Sequence, residues 1–490
     1  TGVYGGALNV APGSTATFNR VNFVGNKANF NAAGGGGNGG ALYASDATIT
    51  LKSVNMTGNS SQGHAGALYQ GGFDLKLDSS VTFTGNRSGS HGGAIYVVYK
   101  SGADGSRIGS VLEINGSSTS AQIIVDCDKT AYADGVCELD LTGADLSSST
   151  AAPIYVKQIG DECQIVAKSG SVNTISDGSS HSDTNSSGEA INGAIYSEDD
   201  LKIKGQGTLT VNGNYQDGVV CKNDLKVFNG TINVNAVDDC LRGNDSVTIG
   251  NETDTDFSTL KVTVNSSAGD GIKTNETVAS EGEGAIIVNG GTVNVTSNSD
   301  GLHGSMNVTV NGGDLNIKTT GSASSTADVS ANGIKAGCTD DSGTAITGTI
   351  NVNGGHITAD TTDDSIHASG TVSLLGGVME INSGDDAVHS DADVIIGDST
   401  ANDYNDVQVV VFSGYEGIEG MNITMNSGTV VSTTTDDGFN AAGGADGSGS
   451  TSPGGWGGGW GGSSTSGNYS LNLKGQFITT IFSTTYSVIN

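Results

Sequence analysis

The feature that most constrains this chain is that it repeats itself. GGAL stands at Gly5–Leu8 and Gly39–Leu42, AGAL at Ala65–Leu68 and GGAI at Gly92–Ile95. Between them lie FVGN at Phe23–Asn26, MTGN at Met56–Asn59 and FTGN at Phe83–Asn86. Successive units start 34, 26 and 27 residues apart, the first lengthened by a Gly-rich insert around Gly34–Gly40. A period of that length holds about three short strands, which suits one coil of a solenoid. Small Gly-Gly-Ala fits a tight corner, the aliphatic residue after it points inward, and an Asn at each turn can stack into a hydrogen-bonded ladder.

From about Ala190 a second repeat takes over. Its turns read Asn192-Gly-Ala-Ile, Asp217-Gly-Val-Val, Asp239-Cys-Leu-Arg, Asp270-Gly-Ile-Lys, Asp300-Gly-Leu-His and Asn332-Gly-Ile-Lys. They continue as Asp364-Ser-Ile-His, Asp386-Ala-Val-His, Glu416-Gly-Ile-Glu and Asp437-Gly-Phe-Asn. Stretches such as TINVN at Thr231–Asn235 and LNIK at Leu315–Lys318 lie between, and their alternation puts one side chain inside and the next outside. The spacing of 21 to 32 residues is tolerated if inserts loop out from one corner. The fold class expected is all-β, a right-handed parallel β-helix.

The chain divides accordingly. Residues 1–100 carry the first repeat, 101–188 form a strand-rich transition with a polar insert, and 189–442 carry the second repeat. Residues 443–467 form a Gly/Ser/Trp loop, and 468–490 continue the β-helix and read as truncated. The chain opens at Thr1 inside a repeat, so it reads as a processed or partial piece of a secreted or cell-surface protein. Fifty-two Asp and Glu against 20 Lys and Arg give a charge of -32, which argues against nucleic acid. No run of 18 apolar residues exists to form a transmembrane helix.

The GGA[IL] and FxxN motifs of residues 1–100 resemble the repeats of the polymorphic outer-membrane protein family, whose passengers are β-helical adhesins. From about Leu112 the blocks AQIIVD, SSSTAAPIYVKQ, GAIYSEDDLKIKGQGTLTV, QDGVVCKNDLKV, DDCLRGNDSV and GDGIK follow one another. In that order they resemble the β-helical carbohydrate-binding domain family, found in secreted proteins of cellulose- and pectin-degrading anaerobes. That resemblance implies a right-handed β-helix similar to polysaccharide lyases, calcium sites, and binding of plant-wall or acidic polysaccharide.

Because turns stack, columns carry more information than single motifs. One column is acidic: Asp217, Asp239, Asp270, Asp300, Asp364, Asp386, Glu416 and Asp437, with Asp238, Asp363, Asp385 and Asp436 just before four of them. Carboxylates about 4.8 Å apart repel unless neutralised, and oxygen-rich clusters suit Ca2+. The candidate metal ligands are Asp238, Asp239, Asp270, Asp300, Asp363, Asp364, Asp385, Asp386, Asp436 and Asp437. The competing reading is that each Asp caps its own turn. Three residues on lies a basic column of Arg242, Lys273, His303, Lys335, His367 and His389. It is either a charge ladder paired with the acids or a cationic groove for a carboxylate-bearing sugar chain.

Trp456 and Trp460, four apart in GGWGGGWGG, either reach sugar faces or tuck their loop onto the protein. Of the six cysteines, Cys127–Cys137 and Cys221–Cys240 are close enough in sequence to form disulfides, the alternative being buried thiols. The functional expectation is a calcium-stabilised β-helix, extracellular or on the cell surface, that binds polysaccharide without cleaving it. A structural adhesin stalk or a self-associating filament subunit is the rival. A polysaccharide lyase is the third reading, disfavoured because the basic groups repeat evenly and do not gather at one turn.

Overall fold

The computed structural model describes residues 4–31, 34, 36–71, 75–77, 81–89, 95–98, 110–119, 121–130, 133–277, 283–322, 330–400, 406–441 and 469–481. Trp456, Trp460 and the whole 443–467 tract lie outside the described residues. Regular structure among the described residues is all strand. No described helix is long and apolar enough to cross a membrane. The chain forms two compact units, Thr1–Asn244 with Thr259–Val262, and Asp245–Ser258 with Thr263–Asn490.

In the first unit each strand pairs in parallel with the strand one coil later, as a parallel β-helix requires. Leu42 pairs with Leu68, Leu68 with Ile95, Ile95 with Ile123, Ile123 with Ile154, Ile154 with Ile195, Ile195 with Val219 and Val219 with Leu241. All are buried, so one aliphatic side chain from every coil stacks on its equivalent. Burying each contributes about 1.5–3 kcal/mol, and only the neighbouring coil provides the cover. Strands within 101–188 keep the same register, Val136–Ser147 pairing onward with Glu162–Ala167 and Val172–Ser176. The polar tract from Ser176 is pinned by His181, whose ring stacks on Tyr215 at 4.8 Å and lies 3.1 Å from the buried Asp177.

The Gly-Gly-Ala corners are tight for a specific reason. A Cβ on Gly40 would stand 2.0 Å from the Gly66 carbonyl oxygen, and one on Gly6 would stand 2.1 Å from that of Gly40. The Asn ladder forms as the repeat suggests. Asn59 Nδ2 donates to Asn86 Oδ1 at 2.9 Å and to the Phe23 carbonyl at 2.9 Å, and Asn59 Oδ1 accepts from the Asn26 backbone N–H at 2.9 Å. Asn59 is fully buried, so these bonds have no water to replace them.

The second unit repeats the principle. Ile272, Leu302, Ile334, Ile366, Val388, Ile418 and Phe439 are successive register partners. One face of each coil carries the Asp-Gly-Ile-Lys/His turn, and another ends at a Gly-Gly corner, Gly290-Gly291, Gly312-Gly313, Gly354-Gly355 and Gly376-Gly377. The second glycine of each has φ of 91°, 99°, 93° and 89°, a region that only glycine enters without strain.

The cysteine expectation is corrected. All six are thiols, and neither Cys127–Cys137 nor Cys221–Cys240 is bridged. Register decides this: Cys137 faces Cys163 of the next coil, its direct partner in the ladder. The Cys221 thiol donates to the carbonyls of Asp199 and Asp224, whereas Cys240 turns to the Val234 carbonyl.

Asn59→Ala is expected to lower the unfolding free energy by about 2–4 kcal/mol, because it strands several buried polar groups at once. Asn55→Ala, on the exposed side of the same turn, should cost less than about 1 kcal/mol. Urea denaturation of both variants measures the difference; equal losses would contradict the ladder's role.

Candidate functional site

The acidic column is built by the coil-to-coil register. Asp217 Oδ1 accepts the backbone N–H of Asp239 at 3.0 Å, Asp270 that of Asp300 at 2.8 Å, and Asp300 that of Asn332 at 2.8 Å. Asp364 does the same for Asp386 at 2.9 Å, and Asp386 for Glu416 at 3.0 Å. The capping idea therefore holds in altered form: these five carboxylates cap the turn of the following coil and so tie two coils together.

The second oxygen meets the basic column. Asp217 Oδ2 is 2.8 Å from Arg242, and Asp270 Oδ2 is 2.9 Å from Lys273. His303 lies 3.4 Å from both Asp270 and Asp300, and Lys335 lies 3.6 Å from Asp300. His367 and His389 approach Asp364 at 3.1 and 3.5 Å. Lys273, His303, Lys335, His367 and His389 are consecutive register partners, as their spacing suggests. Their charged ends are directed at the acids, and Lys335 and His389 are buried. The column is thus a partly buried charge ladder, and only Arg242, Lys273 and His367 keep appreciable side-chain exposure.

At its C-terminal end the ladder loses its balance. Glu419 takes the place of a base, in register with His389, and Asn440 follows it. Asp386 and Glu419 are fully buried and Glu416 nearly so, yet Asp386 Oδ2, Glu416 Oε2 and Glu419 Oε2 make no hydrogen bond. One imidazole serves two of these carboxylates, His389 Nδ1 lying 3.5 Å from Asp386 Oδ2 and 3.8 Å from Glu419 Oε2, and Asn440 bonds Glu416 beside them; three buried carboxylates sharing one histidine are an oxygen-rich set that suits a hard divalent cation. Two further groups bring acids together, Asp217 with Asp238 and Asp239, and Asp363 with Asp364 and Asp385. The other expected ligands Asp436 and Asp437 sit beside Glu416 and help raise its pKa. The residues fit the calcium expected from the sequence.

Two features escaped the sequence reading. In the first unit the position after the inward aliphatic carries tyrosine: Tyr43, Tyr69, Tyr96, Tyr155 and Tyr196. Tyr43, Tyr69 and Tyr96 stack at 4.7 and 5.5 Å, and Tyr4 lies tilted by 46° against Tyr43 at 4.8 Å. The signal was visible in GGALY, AGALY and GGAIY. In the second unit an open groove of about 540 Å³ runs across the Gly-Gly corners, lined by Phe257, Asn289, Asp314 and His356 among others. The Phe257 ring lies flat enough on Gly290 that a Cβ there would stand 2.3 Å from it. Asn353 donates to Asn311 and Asn311 to Asn289, each at 2.8 Å, so a ladder of amides flanks the groove. Its signal was the recurring VNGG.

The carboxylates respond to this crowding. Burial, then Asp386, pushes Glu419 up to about 9 despite His389. Burial and Asp386 push Glu416 to about 7; burial raises Asp217 to about 7 against the pull of Arg242. Burial and Asp364 raise Asp363 to about 6. Burial would raise Asp364 too, but its bonds to His367 and His389 outweigh it and hold it well below the usual carboxylate range. The raised acids hold protons in the folded state that the unfolded chain, titrating near pH 4, has lost. Their stabilisation is therefore present below about pH 4 and is lost as pH rises through 6 to 9. The depressed Asp364 acts oppositely, stabilising above about pH 4 and failing below it. In chelator the melting temperature should peak near about pH 4–5 and fall toward pH 9, and calcium should flatten that fall. Thermal denaturation across pH with and without calcium checks this; a rise between pH 5 and 9 in chelator would contradict it.

A family model described as carbohydrate-binding domain-containing protein matches residues 106–387. A curated relative from Acetivibrio thermocellus, with the same description, is 35% identical over 122 residues, 25% of this chain and 41% of the relative. The match thus spans less than half of that relative. Among solved structures, the gadolinium derivative of a polysaccharide lyase-like protein from C. thermocellum is 27% identical. That match covers 52% of this chain and 87% of the other, with a TM-score of 0.41. With its model matching more than half of the sequence, the chain belongs to the family of carbohydrate-binding domain-containing proteins.

Proposed function

We propose that this protein is an extracellular or cell-surface, calcium-stabilised β-helix that binds polysaccharide without cleaving it, and that the sugar chain lies in the groove over the Gly-Gly corners. The observation that carries this reading is the groove itself. Its volume falls in the range of ligand sites, about 300–1,000 Å³. It combines an aromatic ring at Phe257, amide and carboxylate groups at Asn289 and Asp314, and a backbone floor without side chains. An aromatic face with a few fixed polar groups beside it suits a sugar ring, which has an apolar face and a polar rim. Repetition of the floor every coil suits a polymer more than a single small molecule.

Calcium belongs to the acidic column in this account. Asp386, Glu416 and Glu419 would hold it first, since three buried carboxylates there have one imidazole, His389, facing two of them. There it supplies charge neutralisation between coils. The basic column supports non-cleavage: Arg242 and Lys273 are engaged by aspartates at 2.8 and 2.9 Å, and so are poor proton acceptors for an elimination.

Retention of the purified protein on insoluble polygalacturonate and on cellulose, in calcium and then in chelator, tests the reading. Retention is expected on at least one polymer, and Phe257→Ala should weaken it roughly tenfold while leaving the melting temperature within a few degrees. Release of unsaturated sugar ends would overturn the non-catalytic claim. No retention on either polymer would overturn glycan binding and favour the self-associating filament.

A further inference from the structure

His367 and His389 occupy the same position on successive coils and are direct register partners. Their rings are parallel, with centroids 4.6 Å apart and 10° between planes. On one side, Nδ1 of each faces Oδ2 of the buried Asp364, at 3.1 and 3.5 Å. The Nδ1 edges are thus turned to carboxylates, that of His389 also lying 3.5 Å from Asp386 Oδ2 and 3.8 Å from Glu419 Oε2, and Nε2 is the edge of each ring left for a metal. On the other side, both Nε2 atoms turn toward Oδ1 of Asp391, at 4.0 Å from His367 and 3.5 Å from His389. His389 is 7% exposed, and its Nε2 is buried without a hydrogen bond.

We propose that His367 Nε2, His389 Nε2 and Asp391 Oδ1 form a binding site for a divalent transition metal of the zinc type, separate from the oxygen clusters of the acidic column. Two imidazoles and a carboxylate suit zinc, whereas calcium and magnesium select all-oxygen sets. Asp364 behind both rings is the outer carboxylate that orients metal-bound histidines. The three ligand atoms lie within 4.8 Å of one another. A tetrahedral ion at about 2.1 Å from each ligand needs them about 3.4 Å apart. The buried His389 is the fixed point. Asp391, 46% exposed, and His367, 26% exposed, are the ones free to close by roughly an ångström. The same exposure leaves the outward coordination position open to water or to a carboxylate or hydroxyl from outside. The inference does not depend on where glycan binds.

The test is calorimetric titration of zinc chloride into the full chain, stripped of metal and then held in excess calcium. One zinc is expected, not displaced by calcium, with affinity reduced roughly tenfold or more in both His367→Ala and Asp391→Ala. Cobalt in place of zinc should give a visible absorption band in the parent protein that both variants lose. Asp391 is half exposed, so its variant keeps the fold should His367→Ala disturb the stack, and circular dichroism verifies this. Absence of zinc binding, displacement of zinc by calcium, or equal affinity in parent and Asp391→Ala would each overturn the proposal; the last two would mean that the acidic column had taken the ion.

Discussion

Everything in this protein follows from parallel stacking of one coil on the next, about 4.8 Å away. Stacking places like on like. For Leu, Ile and Val that is favourable, since each aliphatic side chain is covered by the same kind of residue above and below. For aspartate it is unfavourable, and the structure meets the problem in two ways. At Asp217 and Asp270 one oxygen caps the backbone of the next coil, and the other faces a cation of the basic column. Burial makes these interactions strong and makes their absence costly.

The local exceptions are informative for that reason. Where Glu419 replaces a base, Asp386 and Glu419 share the one imidazole of His389, and burial beside Asp386 pushes Glu416 and Glu419 up. Where two histidines succeed each other, their Nδ1 edges face Asp364 and their Nε2 edges turn toward Asp391. The groove lies on a different face, where Gly-Gly corners leave bare backbone and the amides of Asn289, Asn311 and Asn353 bond to one another.

The fold was legible because periodicity reports geometry directly. Gly5–Leu8 and its repeats, the Phe-x-x-Asn turns and the Asp-Gly-Ile-Lys turns each marked one coil, and the two columns proved to be register columns. What the sequence concealed was direction. Spacing cannot say that Asp364 bonds forward to Asp386, that basic heads fold onto the acids, or that Cys221 and Cys240 turn toward different carbonyls. Nor did composition reveal the aromatic column, because 5% of aromatics is sparse on average and dense when five tyrosines share one position. The groove was missed because glycine was read only as a turn former, when its lack of a side chain also makes room.

The central claim is that charge balance between stacked coils determines where this protein holds cations. A crystal structure grown in calcium, with anomalous difference maps, tests it most directly. The account predicts an ion at about 2.3–2.6 Å from the oxygens of Asp386, Glu416 and Glu419, where the ladder lacks a base. It predicts weaker or no density at Asp270, which Lys273 and His303 already neutralise. Calcium distributed evenly along all the aspartates, or found at Asp270 and not at Glu419, would contradict it.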